Sequence, residues 1–439
     1  MKKVVKFGGS SLADAGQFRK VAAIVLEEES RRYVVPSAPG KRYSNDDKVT
    51  DLLIACHKAA QEGGDWQPIW EKIKDRYRSI ASELALAATL KHEFEEIEEH
   101  LQSGCSLDYM ASRGEYLNGI LLAQFLGYEF LDAAKVVFFD EDGRYDSAKT
   151  IKTMRMQLAR IERAVIPGFY GSMPDGSIKT FSRGGSDITG AIVAQAIDAD
   201  LYENWTDVSG FLVCDPRIVE NPRPIRTITY RELRELSYMG ATVLHAESIF
   251  PVKEAGIPIN IRNTNAPQDK GTLIVEGTCR QPKYTITGIA GTDGFVAITV
   301  EKAMMNSEVG FCRKVLQVFE DNGVSIEHMP SGIDTMSIFV NKDVFEEKEQ
   351  KILADIHKAV NPDHIELESN LALIAVVGRG MKSTRGTAGR IFSALAHAHI
   401  NVKMIDQGSS ELNIIIGVRH DDFKNAIRAL YEIFVLTQI

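Results

Sequence analysis

Near the start of the chain, Lys6 to Ser11 read "KFGGSS", with Val4 and Val5 just ahead of them. Two adjacent glycines let a backbone turn sharply with its N–H groups converging on one concavity, a nest for an anion. The lysine behind the turn and a helix-like stretch opening near Gln17 make phosphate the natural guest. A second Gly-Gly turn lies in "TFSRGGSDITGAIVAQAI" (180–197), where Ile188, Ile192 and Ala196 form an apolar helical stripe. Ser186 and Asp187 stand at its head, and helix capping alone accounts for them locally. Two such turns in one domain suggest a polyphosphate held from both sides, and Arg183 adds a planar fork suited to a carboxylate or phosphate. Between them come "VVPSAPG" (34–40) and the helical "MASRGEYLNG" (110–119), with Ser112, Arg113 and Glu115; "WTDVSGFLVCDPR" (205–217) follows. Taken singly, each of these suits a turn, a cap or surface charge equally well.

The elements that must position these residues are legible as alternation. Strand-like runs at VVKF (4–7), YVV (33–35), VVFF (136–139), VIPGF (165–169), IPINI (257–261) and TLIV (272–275) are interleaved with helical periods. That pattern predicts an α/β domain with a mainly parallel sheet sandwiched by helices. The stretch from Trp66 to Leu101, rich in Glu, Lys, Ala and Leu, reads as surface helices, and a boundary is expected near Thr278 to Lys283.

Beyond the boundary the chain repeats itself. With residue 310 placed against 386, an offset of 76, "FVAITVE" (295–301) falls on "LALIAVV" (371–377), Gly310 on Gly386, Val324 on Ile400, Gly332 on Gly408 and "MSIFV" (336–340) on "LNIII" (412–416), without a gap. Each copy reads strand, glycine-bearing loop, helix, strand, strand, helix, the βαββαβ order of a ferredoxin-like module. The second copy's "VVGRGMKST" (376–384) is a decoy. A P-loop needs Gly before its Lys, where Met381 stands, and a dinucleotide fingerprint needs a third Gly, where Ser383 stands. It is read as the turn equivalent to "EKAMMNSEVG" (301–310).

Composition bounds the rest. At 439 residues, 44% hydrophobic and 25% charged, the chain has material for roughly two to four soluble domains. A net charge of -9 with no basic block argues against a nucleic-acid partner. Five scattered cysteines without a C-x-x-C suggest neither a disulfide framework nor a zinc site. No run approaches the roughly 18 apolar residues of a membrane span, and the Met-Lys-Lys start lacks a secretory apolar region. A cytoplasmic protein is expected.

Taken together and in order, "KFGGSS", "SAPG", "SRGE", "SRGGSD" and "WTDVSGFLVCDPR", followed by the doubled module, resemble the aspartokinases. The likeness covers nearly the whole chain. It implies a monofunctional enzyme: an amino-acid kinase catalytic domain over 1–280, a first ACT module over 285–365 and a second over 366–439, with strand exchange between the two left open. The implied reaction is MgATP-dependent phosphorylation of the L-aspartate side-chain carboxylate to 4-phospho-L-aspartate, the first step towards lysine, threonine and methionine. By that resemblance Lys6 and Asp187 are the catalytic pair, and Gly8, Gly9, Ser10, Gly184 and Gly185 join Lys6 on the ATP phosphates. Ser37, Thr50, Glu115, Arg183 and Ser186 receive aspartate, with Arg183 clamping its α-carboxylate and Glu115 pairing with its ammonium. Thr206, Asp207, Leu212, Arg217 and Thr242 line the nucleotide. Within "GATVLHA" (240–246), Thr242 stands where the family commonly has lysine and Ala246 where it has proline, and Leu212 replaces a frequent tyrosine. ATP and Mg²⁺ are the implied cofactors; the ion is expected on phosphate oxygens and water, with no protein ligand assigned.

For control, the resemblance implies an amino-acid effector at Met305, Gly310, Cys312, Glu327 and Ser331. The second copy carries Lys403 at the position of Glu327, so a cationic effector fits only the first, and lysine is favoured over threonine. A homodimer or homotetramer through the ACT modules is expected. Two other readings compete: a ligand-sensing regulator whose kinase domain is inactive, signalled by Thr242, and another amino-acid kinase such as a UMP, carbamate or acetylglutamate kinase. The doubled tail and "SRGE" argue against the latter; Lys6, Arg183 and Asp187 argue against the former.

Overall fold

The computed structural model describes residues 1–436 apart from 87–89, 183, 242–243, 245–248 and 278–281. Two compact units emerge. The first, built of 1–211, 224–230 and 243–278, holds strands β1 (Lys3–Phe7), β2 (Arg31–Pro36), β3 (Glu129–Phe130), β4 (Ala164–Val165), β5 (Tyr170–Ser172), β6 (Ile178–Thr180), β7 (Leu201–Thr206), β8 (Thr227–Thr229), β9 (Ile259–Asn263) and β10 (Thr272–Val275). Among the described residues its main sheet has eight strands in the order β3-β4-β2-β1-β7-β9-β10-β8. Only the β9–β10 pair in it is antiparallel. The central β1 is buried along its whole length, as a strand covered on both faces must be, and this explains its continuous valine run. Helix Ala15–Glu27 opens on an Asp14 cap and helix Leu107–Leu126 on a Ser106 cap, each side chain accepting a backbone N–H of the first turn.

Three expectations are corrected here. The run 136–139 is no strand of the sheet: Val136 and Val137 are buried beside a short 3-10 turn, Ala133–Lys135, and Phe138 makes only an isolated bridge to Ser172. Burial explains that run as well as pairing would. The strand expected over 165–169 is regular only as far as Val165, although backbone bonds to β2 run on past it, from the Ile166 N–H to the Val34 carbonyl at 2.9 Å and from the Gly168 N–H to the Pro36 carbonyl at 3.1 Å. The helices Gln67–Glu83 and Lys91–Gln102 are amphipathic rather than superficial, with Trp70, Ile73, Tyr77, Ile80, Phe94 and Ile97 buried in the core beside β1 and β2.

The second unit takes 212–223 and 231–242 together with 279–439. Its strands are β11 (Gly288–Glu301), β12 (Ile326–His328), β13 (Thr335–Asn341), β14 (His364–Val377), β15 (Met404–Asp406) and β16 (Asn413–Arg419). They form one antiparallel sheet in the order β12-β13-β11-β14-β16-β15. The first half of β11 pairs with the second half of β14, Gly288 opposite Val377, while its second half pairs with both β13 and the first half of β14, Glu301 opposite Thr335 and His364. The strand beside β14 in the second module's half of the sheet is therefore drawn from the start of the first module. The sheet curls until its edge strands meet: His328 Nδ1 lies 2.8 Å from Asp406 Oδ2.

The offset of 76 carries helix Phe311–Asp321 onto Thr387–His397, each opened by a glycine with φ near +80°, Gly310 at 82° and Gly386 at 80°. A side chain at either cap would be strained. The turns Met305–Ser307 and Met381–Ser383 correspond too, which accounts for the decoy loop. The ungapped register does not survive. Ile298 faces Ile338 but Ile374 faces Ile416, so β13 and β16 are related by 78 and 336–340 corresponds to 414–418, not 412–416. On the edge strands Phe339 faces His328 and Gly417 faces Met404, an offset of 76 from His328 to Met404, but a bulge in β12 sets Ile326 against Val340, and the spans Ile326–His328 and Met404–Asp406 differ by 78, so the edge strands keep no single offset.

Candidate active site

The site gathers at the carboxyl ends of β1, β2 and β7, where ligands bind in open parallel sheets. Lys6, paired in register with Val35 and Asn204, is buried, and its Nζ lies 2.6 Å from Asp187 Oδ1. Asp187 sits in the first turn of helix Gly185–Ala196, where a carboxylate is favoured by the helix dipole. Asn204 Nδ2 donates to the same carboxylate oxygen at 2.8 Å, and the Tyr202 hydroxyl donates to the Asp187 carbonyl at 3.2 Å. The ammonium is thus fixed by a carboxylate that is itself fixed.

Beyond Lys6 the chain enters its glycine turn. The Gly8 N–H donates to the Trp205 carbonyl at 3.0 Å, so the expected phosphate donor at Gly8 is committed to the strand, and the donors remaining for an anion are the Gly9 and Ser10 amides opening the 3-10 turn Gly9–Leu12. Gly9 interlocks with the turn after β2: Gly40 N–H donates to the Gly9 carbonyl at 2.8 Å, and a Cβ on Gly40 would lie 2.6 Å from the Gly9 carbonyl carbon. Ser37 N–H donates to the Phe7 carbonyl, and the Ser37 carbonyl accepts from Asn118 Nδ2 at 2.7 Å. Val49 N–H donates to the Pro39 carbonyl, which starts helix Val49–Gln61 with Thr50, half-buried, in its first turn.

Glu115 is the most unusual group here. It is buried on helix Leu107–Leu126, and its Oε2 has no hydrogen-bond partner. Burial pushes its carboxyl up to about 8, while the Ala38 backbone N–H and the Lys6 ammonium pull the other way. A buried carboxylate oxygen left unpartnered is what a site for a cationic ligand group looks like. Ser186 is buried in the first turn of its helix and packs against Gly168. Gly184 enters that helix at φ 58° and Gly185 packs on Phe169. Thr206 ends β7, and its hydroxyl donates to the exposed Asp207 at 3.3 Å.

Leu212 and Arg217 belong to the second unit, where the exposed Arg217 guanidinium forks onto Asp215 at 2.6–3.0 Å. Arg183 and Thr242, with Ala246, lie outside the described residues. At the effector positions Met305 is buried, Cys312 half-buried and Ser331 exposed, and Glu327 accepts a hydrogen bond from the Tyr238 hydroxyl. Supporting residues that the sequence reading missed are Asn204, Asn118 and Thr264, whose hydroxyl meets Ser11 Oγ at 2.8 Å.

Comparison with known proteins agrees with this geometry. A model of the amino acid kinase family matches residues 1–263 and an ACT domain model matches 374–434. Aspartokinase 3 of Bacillus subtilis is 40% identical over 98% of both chains. The aspartate kinase of Clostridium acetobutylicum is 52% identical, covers 99% of this chain and 100% of its own, and superposes with a TM-score of 0.92. Aspartokinase III of E. coli, 25% identical with 99% of both chains covered, superposes at 0.75 in its complex with aspartate and ADP and at 0.77 in its complex with lysine and aspartate. No described helix is long and apolar enough to cross a membrane. With a buried lysine paired to a half-buried aspartate at the ends of a parallel sheet, a doubled ACT-type sheet and relatives matching from end to end, the chain belongs to the amino acid kinase family and, within it, to the aspartokinases.

Proposed function

We propose that this chain transfers the γ-phosphoryl group of MgATP to the side-chain carboxylate of L-aspartate, giving 4-phospho-L-aspartate and ADP. The observation that carries this reading is the fixed Lys6–Asp187 pair facing the glycine turn, beside the buried, unpartnered Glu115 oxygen. The acceptor carboxylate, with pKa about 3.9, is ionised at neutral pH, so no general base is needed. The protein must hold two anions together and neutralise charge on the transferring group. Lys6 and the Gly9 and Ser10 amides take the phosphates, with Gly184 and Gly185 across the site and Thr206, Asp207, Leu212, Arg217 and Thr242 along the nucleotide. Arg183, Ser37, Thr50 and Ser186 take the aspartate, and Glu115 pairs with its ammonium.

Mg²⁺ favours hard oxygens and is commonly held by one or two carboxylates plus phosphates and water. Among the described residues no group of three or more metal-binding side chains converges, and Asp187 is the carboxylate at the phosphate end. That donor set fits an ion carried chiefly by the nucleotide, where it would shield phosphate charge. Lysine is the proposed effector, bound at Met305, Gly310, Cys312, Glu327 and Ser331; lysine-bound E. coli aspartokinase III supports the choice. The division at 1–280, 285–365 and 366–439, a cytoplasmic location and a homodimer or homotetramer through the ACT modules complete the reading. Coupled measurement of ADP release with aspartate, glutamate or UMP as acceptor tests it: release with aspartate alone is expected, and release with either other acceptor but not aspartate overturns it.

A further inference from the structure

We propose that Arg76, on a helix that carries no candidate site residue, is the positioning residue for the aspartate side of the site. The inference rests on the reading above. Helix Gln67–Glu83 is anchored in the core through Trp70, Ile73, Tyr77 and Ile80, and Arg76 is buried on it. Its Nη1 donates to the Gly40 carbonyl at 3.0 Å and the Ala13 carbonyl at 3.4 Å, and its Nη2 lies 2.7 Å from Asp46 Oδ2. Each contact falls on a different stretch. Ala13 follows the glycine turn, Gly40 ends the turn that carries Ser37, and Asp46 lies in the loop leading to Thr50.

These stretches cannot move separately. Gly40 and Gly9 interlock at backbone contact, and Asp46 is also held by Arg42, which donates its N–H at 3.0 Å, Nε at 2.8 Å and Nη2 at 3.0 Å. Those Arg42 bonds, with the nearby Arg76 charge, hold the Asp46 carboxyl far below the usual carboxylate range, so the clamp stays charged at any working pH. The next residue on the helix, Tyr77, donates its hydroxyl to the Gly114 carbonyl at 2.7 Å, beside Glu115. One rigid helix therefore sets the turn of Ser37, the loop before Thr50 and the segment of Glu115. Only a guanidinium presents enough donors in one plane for two carbonyls and a carboxylate; an ammonium is a single point. Lys6 and Asp187, on β1 and another helix, take no bond from Arg76, so the phosphoryl-transfer cation stays in place without it.

The test is steady-state ADP release by the full chain, varying aspartate and ATP separately, for Arg76→Lys, Arg76→Met and Asp46→Asn, with Arg78→Lys on the same helix as control; Arg78 is exposed, pairs with Glu71 and Asp75 and lies over the Phe94 ring, away from every site residue. In both Arg76 variants the aspartate KM should rise about 10-fold and more than the ATP KM, with kcat changed by less than about 3-fold. The reason is that the two shorter Arg76 contacts, to Gly40 and Asp46, fall on the stretches of Ser37 and Thr50, whereas the phosphate turn is touched only through the longer bond to Ala13 and the Gly40 interlock. Asp46→Asn should raise the aspartate KM about 3-fold, and Arg78→Lys should match wild type. A folded Arg76→Lys with wild-type aspartate KM overturns the proposal, as does a fall in kcat and melting temperature with both KM values unmoved, which is the signature of a merely structural arginine. If the Arg76 variants do not fold, Asp46→Asn decides alone, and an unchanged aspartate KM overturns the idea. A wild type without aspartate-dependent ADP release overturns the kinase reading as well, whereas an active wild type with indifferent Arg76 variants overturns this inference only.

Discussion

Glu115 makes the site's chemistry testable through pH. Its folded carboxyl titrates near 8 against an ordinary value of 4.5, chiefly through burial. The folded chain therefore binds more protons than the unfolded one between those values, so the stability linked to Glu115 is full below about 4.5 and is lost as pH rises through about 8. Glu115→Gln should abolish that loss, and the stability gain of the variant over wild type should grow by a few kcal/mol, at the order-of-magnitude level, from pH 5 to pH 8 in denaturant unfolding. Substrate binding runs the other way, since pairing with an ammonium needs the carboxylate. The wild-type aspartate KM should fall as pH rises towards about 8 and that of Glu115→Gln should stay high and flat. For Lys6→Ala we expect kcat to drop on the order of 10³-fold, with the aspartate KM nearly unmoved, because the charge is matched to the transition state. A raised KM with intact turnover would remove Lys6 from the catalytic role. At this scale the sequence exposed the groups that meet ligand, since lysines, glycines and acids in ordered motifs are visible as types. It hid the groups that hold them, because Asn204 and Asn118 declare themselves only through the atoms they face.

Among the elements, the interlock of Gly9 with Gly40 decides how the two turns approach. A methyl at 40 would meet the Gly9 carbonyl carbon and the Ser10 nitrogen at 2.6 and 2.7 Å, and backbone cannot rotate away as a side chain can. Gly40→Ala should destabilise by about 1–3 kcal/mol, as overpacking does, and raise the aspartate KM several-fold, read by thermal unfolding beside steady-state kinetics. A wild-type melting temperature would mean that the turns are free to part. Element order was readable wherever an apolar run had to be buried on both faces, as in β1 and β2. It failed for β7, whose sequence LYENWT carries a charged residue into the core. Glu203 is fully buried there, 2.9 Å from Arg31 and 3.1 Å from Lys3, with Trp205 Nε1 donating to it at 3.0 Å. A strand whose charge is paired across its neighbours leaves no hydrophobic signature. The repeat was readable where helices and caps fixed it and misread from the edge strands on, because a bulge and irregular chain absorb extra residues without disturbing either flanking pattern.

At the scale of the whole molecule, the second unit is not confined to the sequence beyond the boundary near residue 280. Segments 212–223 and 231–242 leave the kinase run of the sequence and join the doubled sheet: Ile289 N–H donates to the Val213 carbonyl at 2.6 Å, and Arg428 Nε donates to the Ile218 carbonyl at 3.0 Å. The same sheet carries Glu327 on its edge strand β12, and the hydroxyl of Tyr238, from the end of helix Tyr230–Tyr238, donates to that carboxylate. Partial burial and the Glu327 carboxylate press the Tyr238 phenol up to about 12, so the hydroxyl stays a donor. On the proposed reading, an effector ammonium arriving at Glu327 would have to displace it. Because Tyr238 is largely exposed, the bond is worth about 1 kcal/mol, so Tyr238→Phe should lower the lysine concentration for half-inhibition about fivefold. Glu327→Ala should abolish lysine inhibition while leaving uninhibited turnover unchanged. Rates measured with lysine, threonine and methionine separate the outcomes: threonine inhibition without lysine inhibition rejects the effector, lysine inhibition that survives Glu327→Ala rejects the site, and a Tyr238→Phe enzyme needing more lysine makes the tyrosine a ligand of the effector instead of its competitor.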